Sequence, residues 1–565
     1  MDIPRTLILI GLGVVAYLMV LAWNHDYHEA TPDNSQVAMQ SATSSQGSET
    51  SPSLSTTQGS LQGGNGFKTP EQNSQPNVSG GHIALNGETI EVKTDVLDTK
   101  INLVGGNVVQ ASLLKYDVSV HDKTPMLLLE HDKTRTYFLE SALIGQDGFD
   151  SGKNGKPPVY KTPKQQYELA PGQNELQVNL TYTAPSGVKV VKQYIFSRGN
   201  YDVKLNYHIV NQSDKEWRGN FSADIVRDQS PDPSNRHHVG SRSFLGMILH
   251  TPADPYQKVS FDDLKEKPID TSVKGGWIAF IQHYFLTAWI PDPNVQHQYQ
   301  TTTRNGLHVM GFVSPETVVK PGGTANVGAQ FYVGPKIIKS LEKIAPGLDR
   351  TVDYGFLFFI AHPLFIVLKW FHSVVGNWGV AIILLTVLIK AAFFQLSATS
   401  YRSMAKMRAV GPQMKRLREL YGDDRQRLSQ EMMSLYKREK INPLGGCLPI
   451  AVQMPVFFSL YWVLYESVQL RQAPFFGWIQ DLSVMDPYFI LPILMGITMF
   501  VQMSLNPTPP DPMQAKVMKM MPFVFTIFFL WFPAGLVLYW LVNNLLSIGQ
   551  QWLITKQIEK STAKA

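Results

Sequence analysis

The sequence has a single cysteine, Cys447, in 565 residues, so no disulfide can form within the chain. Charge is also scarce: 17% of residues are Asp, Glu, Lys or Arg, and the formal net charge of +5 is too small to suggest sequence-specific nucleic-acid binding. Metal signatures are missing. His237-His238 comes nearest, but neighbours on a strand point to opposite faces and no third ligand is spaced nearby. Asp228 and Asp232, among prolines, read as loop residues. Large apolar residues almost vanish over 24–80, where Ser, Thr, Gln, Gly, Asn and Pro dominate. Such a stretch cannot offset its ordering entropy, and is expected to be a flexible tether.

What is present divides sharply. The mean hydropathy of −0.09 averages a polar half with an apolar one. Residues 1–5 precede an apolar run over 6–23 that is longer than a signal-peptide core and ends in Trp23, so it reads as an uncleaved anchor. Arg5 favours an inside N-terminus, which places the chain beyond the anchor outside. Over 81–334 short alternating runs are broken by turn residues, which predicts a large all-β sandwich. The clearest case is a meander of Leu176–Thr183, Val188–Phe196 and Tyr201–Val210. Residues 335–375 read as amphipathic or interfacial helices, the first spanning Pro335–Ala345 with Pro335 in its opening turn.

The apolar run Asn377–Ser397 is long enough to cross a bilayer, which takes about 20 residues, yet it contains Lys390. Thr386 and Ser397 share its helical face. Either that face lines a wet cavity or the lysine snorkels toward the Ser397 end. Over 398–441, eleven Lys or Arg against five acids mark an inside helical hairpin turning at Gly422. Its Met404, Met407, Met414, Met432 and Met433 form either the hairpin's own core or an adaptable surface.

Further crossings are expected over 442–465, 487–505, 518–532 and 533–554, the last after a tight outside turn. An outside loop (466–486), an inside loop (506–517) and a basic inside tail (555–565) complete six crossings. In the last span Tyr539, Asn543 and Gln550 share a face with Asn544 beside it; they are helix glue or, with Thr386, Lys390 and Gln453, the lining of one groove. The spans carry no Asp, His or protease motif. Enzymatic readings fare badly: Ser459 could in principle meet Lys390 as a nucleophile pair, but no catalytic residue is expected.

Residues then bring a family with them. The runs Asn377-Trp-Gly379, Tyr401-Arg-Ser-Met-Ala-Lys-Met407, Gly422-Asp-Asp424, Gln430-Glu-Met-Met433, Asn442-Pro-Leu-Gly-Gly-Cys447, Gln453-Met-Pro455, Leu470-Arg-Gln-Ala-Pro474, Leu491-Pro-Ile-Leu-Met-Gly496 and Trp531-Phe-Pro-Ala-Gly-Leu-Val-Leu-Tyr539 closely resemble the YidC membrane protein insertases of Gram-negative bacteria. The resemblance implies a five-helix core enclosing a hydrophilic groove, six spans in the inner membrane, both termini cytoplasmic and the sandwich periplasmic. It implies no cofactor. It places the family's groove arginine on Lys390, which keeps the charge and loses the planar fork. It implies nascent membrane proteins, the Sec translocon with accessory subunits, ribosome–nascent-chain complexes and the lipid bilayer as partners. A groove of Lys390, Thr386, Gln453, Tyr539, Asn543 and Asn544 would take a substrate's polar segment. Phe457, Phe458, Phe528 and Phe529 would form an apolar slide, and a hairpin with Met404, Met407, Tyr421, Asp423 and Asp424 would receive incoming chains. The alternatives are an assembly scaffold acting through the sandwich, or a solute transporter.

Overall fold

The computed structural model describes residues 87–150, 157–235, 243–422, 424–439, 448–506 and 512–562. The expected anchor and tether, His237-His238, Asp423, Cys447 and the Asn442-Pro443 helix start lie outside the described residues.

Residues Thr89 to Pro335 form two sheets. One has ten strands, bounded by Asp270–Lys274 and Gln166–Glu168; the other has eight, bounded by Gln257–Val259 and Glu175–Thr183. The meander is there as strands Glu175–Thr183, Val188–Ser197 and Asp202–Asn211, antiparallel with Thr183 opposite Lys189 and Val188 opposite Asn211. Inward-pointing residues alternate along each strand, so period-two patterning was a sound guide here. Tyr207 and Phe221 meet at 5.6 Å across the interior. Asp228 and Asp232 hold loops: Asp228 accepts the Thr136 and Ser230 amides, and Asp232 accepts those of Ser234 and His283.

The alternation also delivers a lysine to the interior. Lys192 is 0% exposed and donates to the carbonyls of Gly105 (3.0 Å) and Ser141 (3.1 Å) on the opposite sheet. The rings of Tyr160, Tyr194 and Tyr207 surround it at 5.1–5.8 Å. Gly105 and Gly106 adopt φ of +76° and +66°, and a Cβ on Gly106 would lie 2.9 Å from the Lys192 side chain.

Eleven helices are described. α1 (Phe261–Glu266) starts at a capping box on Ser260. α2 (Ile338–Ile344) begins three residues past Pro335. That proline ends the last strand, Thr324–Pro335, instead of opening the helix, because it lies opposite Phe285 and its neighbour Gly334 opposite Leu286. α3 is Phe358–Val375, α4 Trp378–Ala392, α5 Phe394–Ala409, α6 Gly411–Tyr421 and α7 Arg425–Arg438. α8 is Leu448–Glu466, α9 Ile490–Ser504, α10 Pro512–Phe529 and α11 Ala534–Thr562.

The expected span over 376–397 is broken. Its axis turns 65° at Phe393, between α4 and α5, three residues past Lys390. The basic tail continues α11 as far as Thr562, with the Lys556 ammonium 4.7 Å from the centre of the Trp552 ring.

One loop, 467–489, gathers helix ends. Asn377, capping α4, accepts the Val380 amide and donates to the Phe475 carbonyl at 3.1 Å. Asp486, fully buried, accepts the Leu491 amide in the first turn of α9 and the Trp478 indole. The amides of Ala534 and Gly535, opening α11, donate to Val484 and Leu482. α8 runs directly into the loop, and Met485 pairs with Pro533 just past α10. At the opposite ends of these helices, Gln551 on α11 donates to the Leu505 carbonyl, and the Arg408 guanidinium reaches the same oxygen. The helices α4, α8, α9, α10 and α11 therefore alternate in direction.

α3 is the exception. With the turn before it, Gly355–Val375 is 21 residues long and apolar enough to cross a membrane by length and composition. Both of its ends nevertheless meet the 467–489 loop: Tyr354 faces Ser467 at 3.4 Å before it, and Asn377 bonds Phe475 after it. Ala361, Phe365 and Leu368 bury one face, while Phe358, Ile366 and Trp370 are exposed on the other.

The sandwich is fastened at the same loop and at the end of α8 that enters it. Arg471 donates to the Asp117 and Val118 carbonyls at 2.6 and 2.9 Å. His283 donates to the Tyr465 carbonyl at 2.8 Å. Lys336 pairs with Glu466 at 2.9 Å.

Candidate functional site

The polar residues of α11 at 543, 547 and 550 fall on one face, since three- and four-residue steps bring side chains into line. Each reaches a different neighbour. Asn543 accepts from the Gln453 amide of α8 at 2.6 Å. Ser547 accepts from the Lys390 ammonium of α4 at 2.7 Å. Gln550 donates at 3.2 Å to the Phe394 carbonyl, just past the bend between α4 and α5. The Tyr539 hydroxyl lies against Gln453, and the Tyr401 hydroxyl of α5 against Ser547. The result is a polar seam in an otherwise apolar bundle, and it runs to the broken helix.

Four of the six expected groove residues belong to this seam: Lys390, Gln453, Tyr539 and Asn543. Thr386 is fully buried and donates to the Ile382 carbonyl of its own helix at 2.7 Å, so its polarity is spent locally. Asn544 turns to Thr498 on α9 at 3.4 Å, as interhelical glue. Ser547 and Tyr401 are the seam's additional members. Ser547 is visible in the sequence only as one more step along the Asn543 face.

Lys390 is half-buried and, among the described residues, has no carboxylate within 4.0 Å. A serine and a lysine at 2.7 Å invite comparison with a nucleophile pair, but the lysine is the donor here. Ser547 gives its own proton to the Asn543 carbonyl at 2.7 Å. That is the reverse of what activation of a serine requires. Ser459 is fully buried and donates to the Pro455 carbonyl, so it forms no pair with Lys390.

The four slide residues divide. Phe458 and Phe528 are exposed, at 45% and 42%. Phe457 is half-buried against Trp540 at 4.7 Å, and Phe529 is buried against the same ring at 5.3 Å. Trp540 thus bridges α8 and α10, with an exposed phenylalanine flanking it on each.

Comparison with known proteins decides what kind of chain carries this seam. The Membrane protein insertase YidC of Marinobacter nauticus is 61% identical over 565 residues, covering 100% of this chain and 99% of the relative. The chain belongs to the YidC membrane protein insertase family. The YidC protein of Hahella chejuensis is 57% identical over 571 residues, covering 99% of this chain and 98% of its own. The families described as YidC periplasmic domain and 60Kd inner membrane protein match residues 89–367 and 370–561. A crystal structure titled as an active YidC insertase with the first transmembrane domain resolved is 17% identical, covers 82% of this chain and 92% of that one, and has a TM-score of 0.36.

The hairpin of this YidC-family chain has its own small core. Val410, Met414 and Leu435 are buried, with Met407, Met432 and Tyr436 packed on them. Met433 is 49% exposed and Met404 intermediate. Asp424 caps α7 by accepting the Arg427 amide at 3.0 Å, and Tyr421 carries the Arg427 guanidinium over its ring at 5.1 Å. Of the expected hairpin residues, Met407, Tyr421 and Asp424 therefore have structural tasks in the hairpin itself.

Proposed function

We infer that this chain is an inner-membrane protein insertase that lowers the cost of moving a client's polar segment across the bilayer, without making or breaking a bond. The observation that carries the reading is the Lys390 ammonium, held in a polar seam among apolar helices with one hydrogen bond and no carboxylate among the described residues. A cation there costs about 2.5–3.5 kcal/mol on insertion scales, which a functional use for it offsets.

In this reading the client's polar tail enters beside Lys390, Gln453 and Asn543, where fixed amides and the ammonium replace part of its hydration. Its apolar helix passes between Phe458 and Phe528 into lipid, a downhill step that calls for no nucleotide. The alternating helices and the basic hairpin support an inside hairpin and an outside sandwich. Both ends of α3 at one loop support a helix lying flat on the outer face. The Sec translocon with its accessory subunits, and ribosomes bearing nascent chains, fit as partners of the outer domain and the hairpin respectively.

Photocrosslinking tests the reading. A photoreactive residue at 453 or 543 labels the client's polar tail, and one at 458 or 528 labels its apolar helix. Labelling of the apolar helix from 543, with none of the tail, overturns it.

A further inference from the structure

An ammonium has three donors and no acceptor, on a stem of four flexible carbons. One of the Lys390 donors goes to Ser547; the other two have no protein acceptor among the described residues. Ser547 is 2% exposed, and its proton is committed to the Asn543 carbonyl, so its oxygen is left to receive, facing the Tyr401 hydroxyl as well as the Lys390 ammonium. Gln550, one turn further on, holds the carbonyl at the bend that ends α4. The lysine thus meets a fixed acceptor on one side and a fixed helix break on the other.

We propose that Ser547 is a positioning residue for Lys390: by taking one N–H it keeps the ammonium in the seam, with two donors free for an acidic client segment. The inference rests on the groove reading of the proposed function. An arginine brings a preformed planar fork to such a task, whereas a lysine must be held. Without its acceptor the lysine relaxes along the apolar surface toward the Ser397 end, as long cationic side chains do near helix ends. Simple helix glue between α4 and α11 makes a different forecast, because weaker glue harms every client equally.

The test uses the full chain in proteoliposomes with two clients that share an apolar helix and differ in a short exported tail, acidic or neutral. Ser547→Ala slows the acidic client about fivefold, the worth of one hydrogen bond, and leaves the neutral one within about twofold. Ser547→Thr, which keeps the oxygen, restores the rate. Adding Ser547→Ala to Lys390→Met produces no further loss, because the two residues act as a unit.

A second readout needs no client: acylation of Lys390 by an amine-reactive ester, followed by peptide mass spectrometry, is faster in Ser547→Ala and normal in Ser547→Thr. Equal slowing of both clients, additive losses in the double variant, or unchanged acylation in Ser547→Ala overturns the inference. If Lys390→Met inserts the acidic client normally, the groove reading fails by itself, and the acylation rate still decides whether Ser547 holds the lysine.

Discussion

Lys336 and Glu466 meet at 2.9 Å with side chains only 1% and 2% exposed, where the last strand of the sandwich gives way to α2 and where α8 ends. A pair so buried contributes little net stability over a well-packed apolar pair, but losing one partner strands the other charge. Lys336→Met or Glu466→Gln alone is expected to destabilise the junction by about 3–5 kcal/mol. The double change to Met and Leu should recover most of that. Limited proteolysis across 335–350, with thermal unfolding in detergent, measures both; two additive losses would contradict the ion-pair account.

Lys192 gives the sandwich a pH dependence of unusual sign. Burial among three tyrosines and away from water pushes its ammonium well below the ordinary lysine value, to about 7, against the pull of Asp150 and Glu140. Burial raises Asp150, and Tyr160, Tyr194 and Tyr207 also face the lysine. Above pH 7 the unfolded chain holds a proton that the folded chain has released, so stability rises with pH from about 7 toward 10. Unfolding midpoints of the full chain between pH 7 and 9 should therefore climb, and Lys192→Met should flatten the climb. A wild-type midpoint that falls over that range argues against a lysine discharged by burial.

The hairpin offers a smaller test. Removing the Asp424 cap leaves the Arg427 amide without its side-chain acceptor, so Asp424→Ala is expected to weaken α7 by about 1 kcal/mol. Hydrogen exchange in the first turn of α7 should quicken, while exchange around Ser547 stays as it was. Asp424→Asn should be nearly silent, since it keeps a capping oxygen.

Close approach of α9 and α10 depends on a missing side chain. A Cβ on Gly496 would fall far inside contact distance of the Thr526 hydroxyl. Gly496→Val is expected to cost about 1–3 kcal/mol as the helices part. Thr526→Ala should relieve a portion of it, which detergent unfolding of the single and double variants reads directly.

Much of this was legible in the residues because the signals were periodic. Alternation marked the meander within one or two residues, and the family motifs marked the chain's class. The turn signal at Gly422 was also local chemistry, whereas the caps at Asn377 and Asp424 emerged only from the structure. The 65° bend at Phe393 was not, because an apolar run reads the same whether straight or broken, and its stabilising partner, Gln550, lies far away in sequence. Pro335 was misplaced for a similar reason: a proline next to a helical pattern suggests a first turn, whereas sheet pairing with Phe285 and Leu286 decides its place. Thr386 shared the right spacing with Lys390, but helical spacing cannot tell a groove-facing hydroxyl from one bonded to its own backbone, and Asn544, beside the seam's face, finds its partner Thr498 on another helix. Ser547 was passed over since a small hydroxyl gains meaning only from the lysine across from it.

The central claim is that the charge of Lys390 is what the groove offers a client. Its most direct measurement is the insertion rate in proteoliposomes of a client with an acidic exported tail, for the wild type, Lys390→Arg and Lys390→Ala. Desolvating a carboxylate without a partner costs several kcal/mol, so Ala is expected to slow insertion by at least about tenfold while Arg retains most of the rate. Insertion by Lys390→Ala at the wild-type rate would contradict the account.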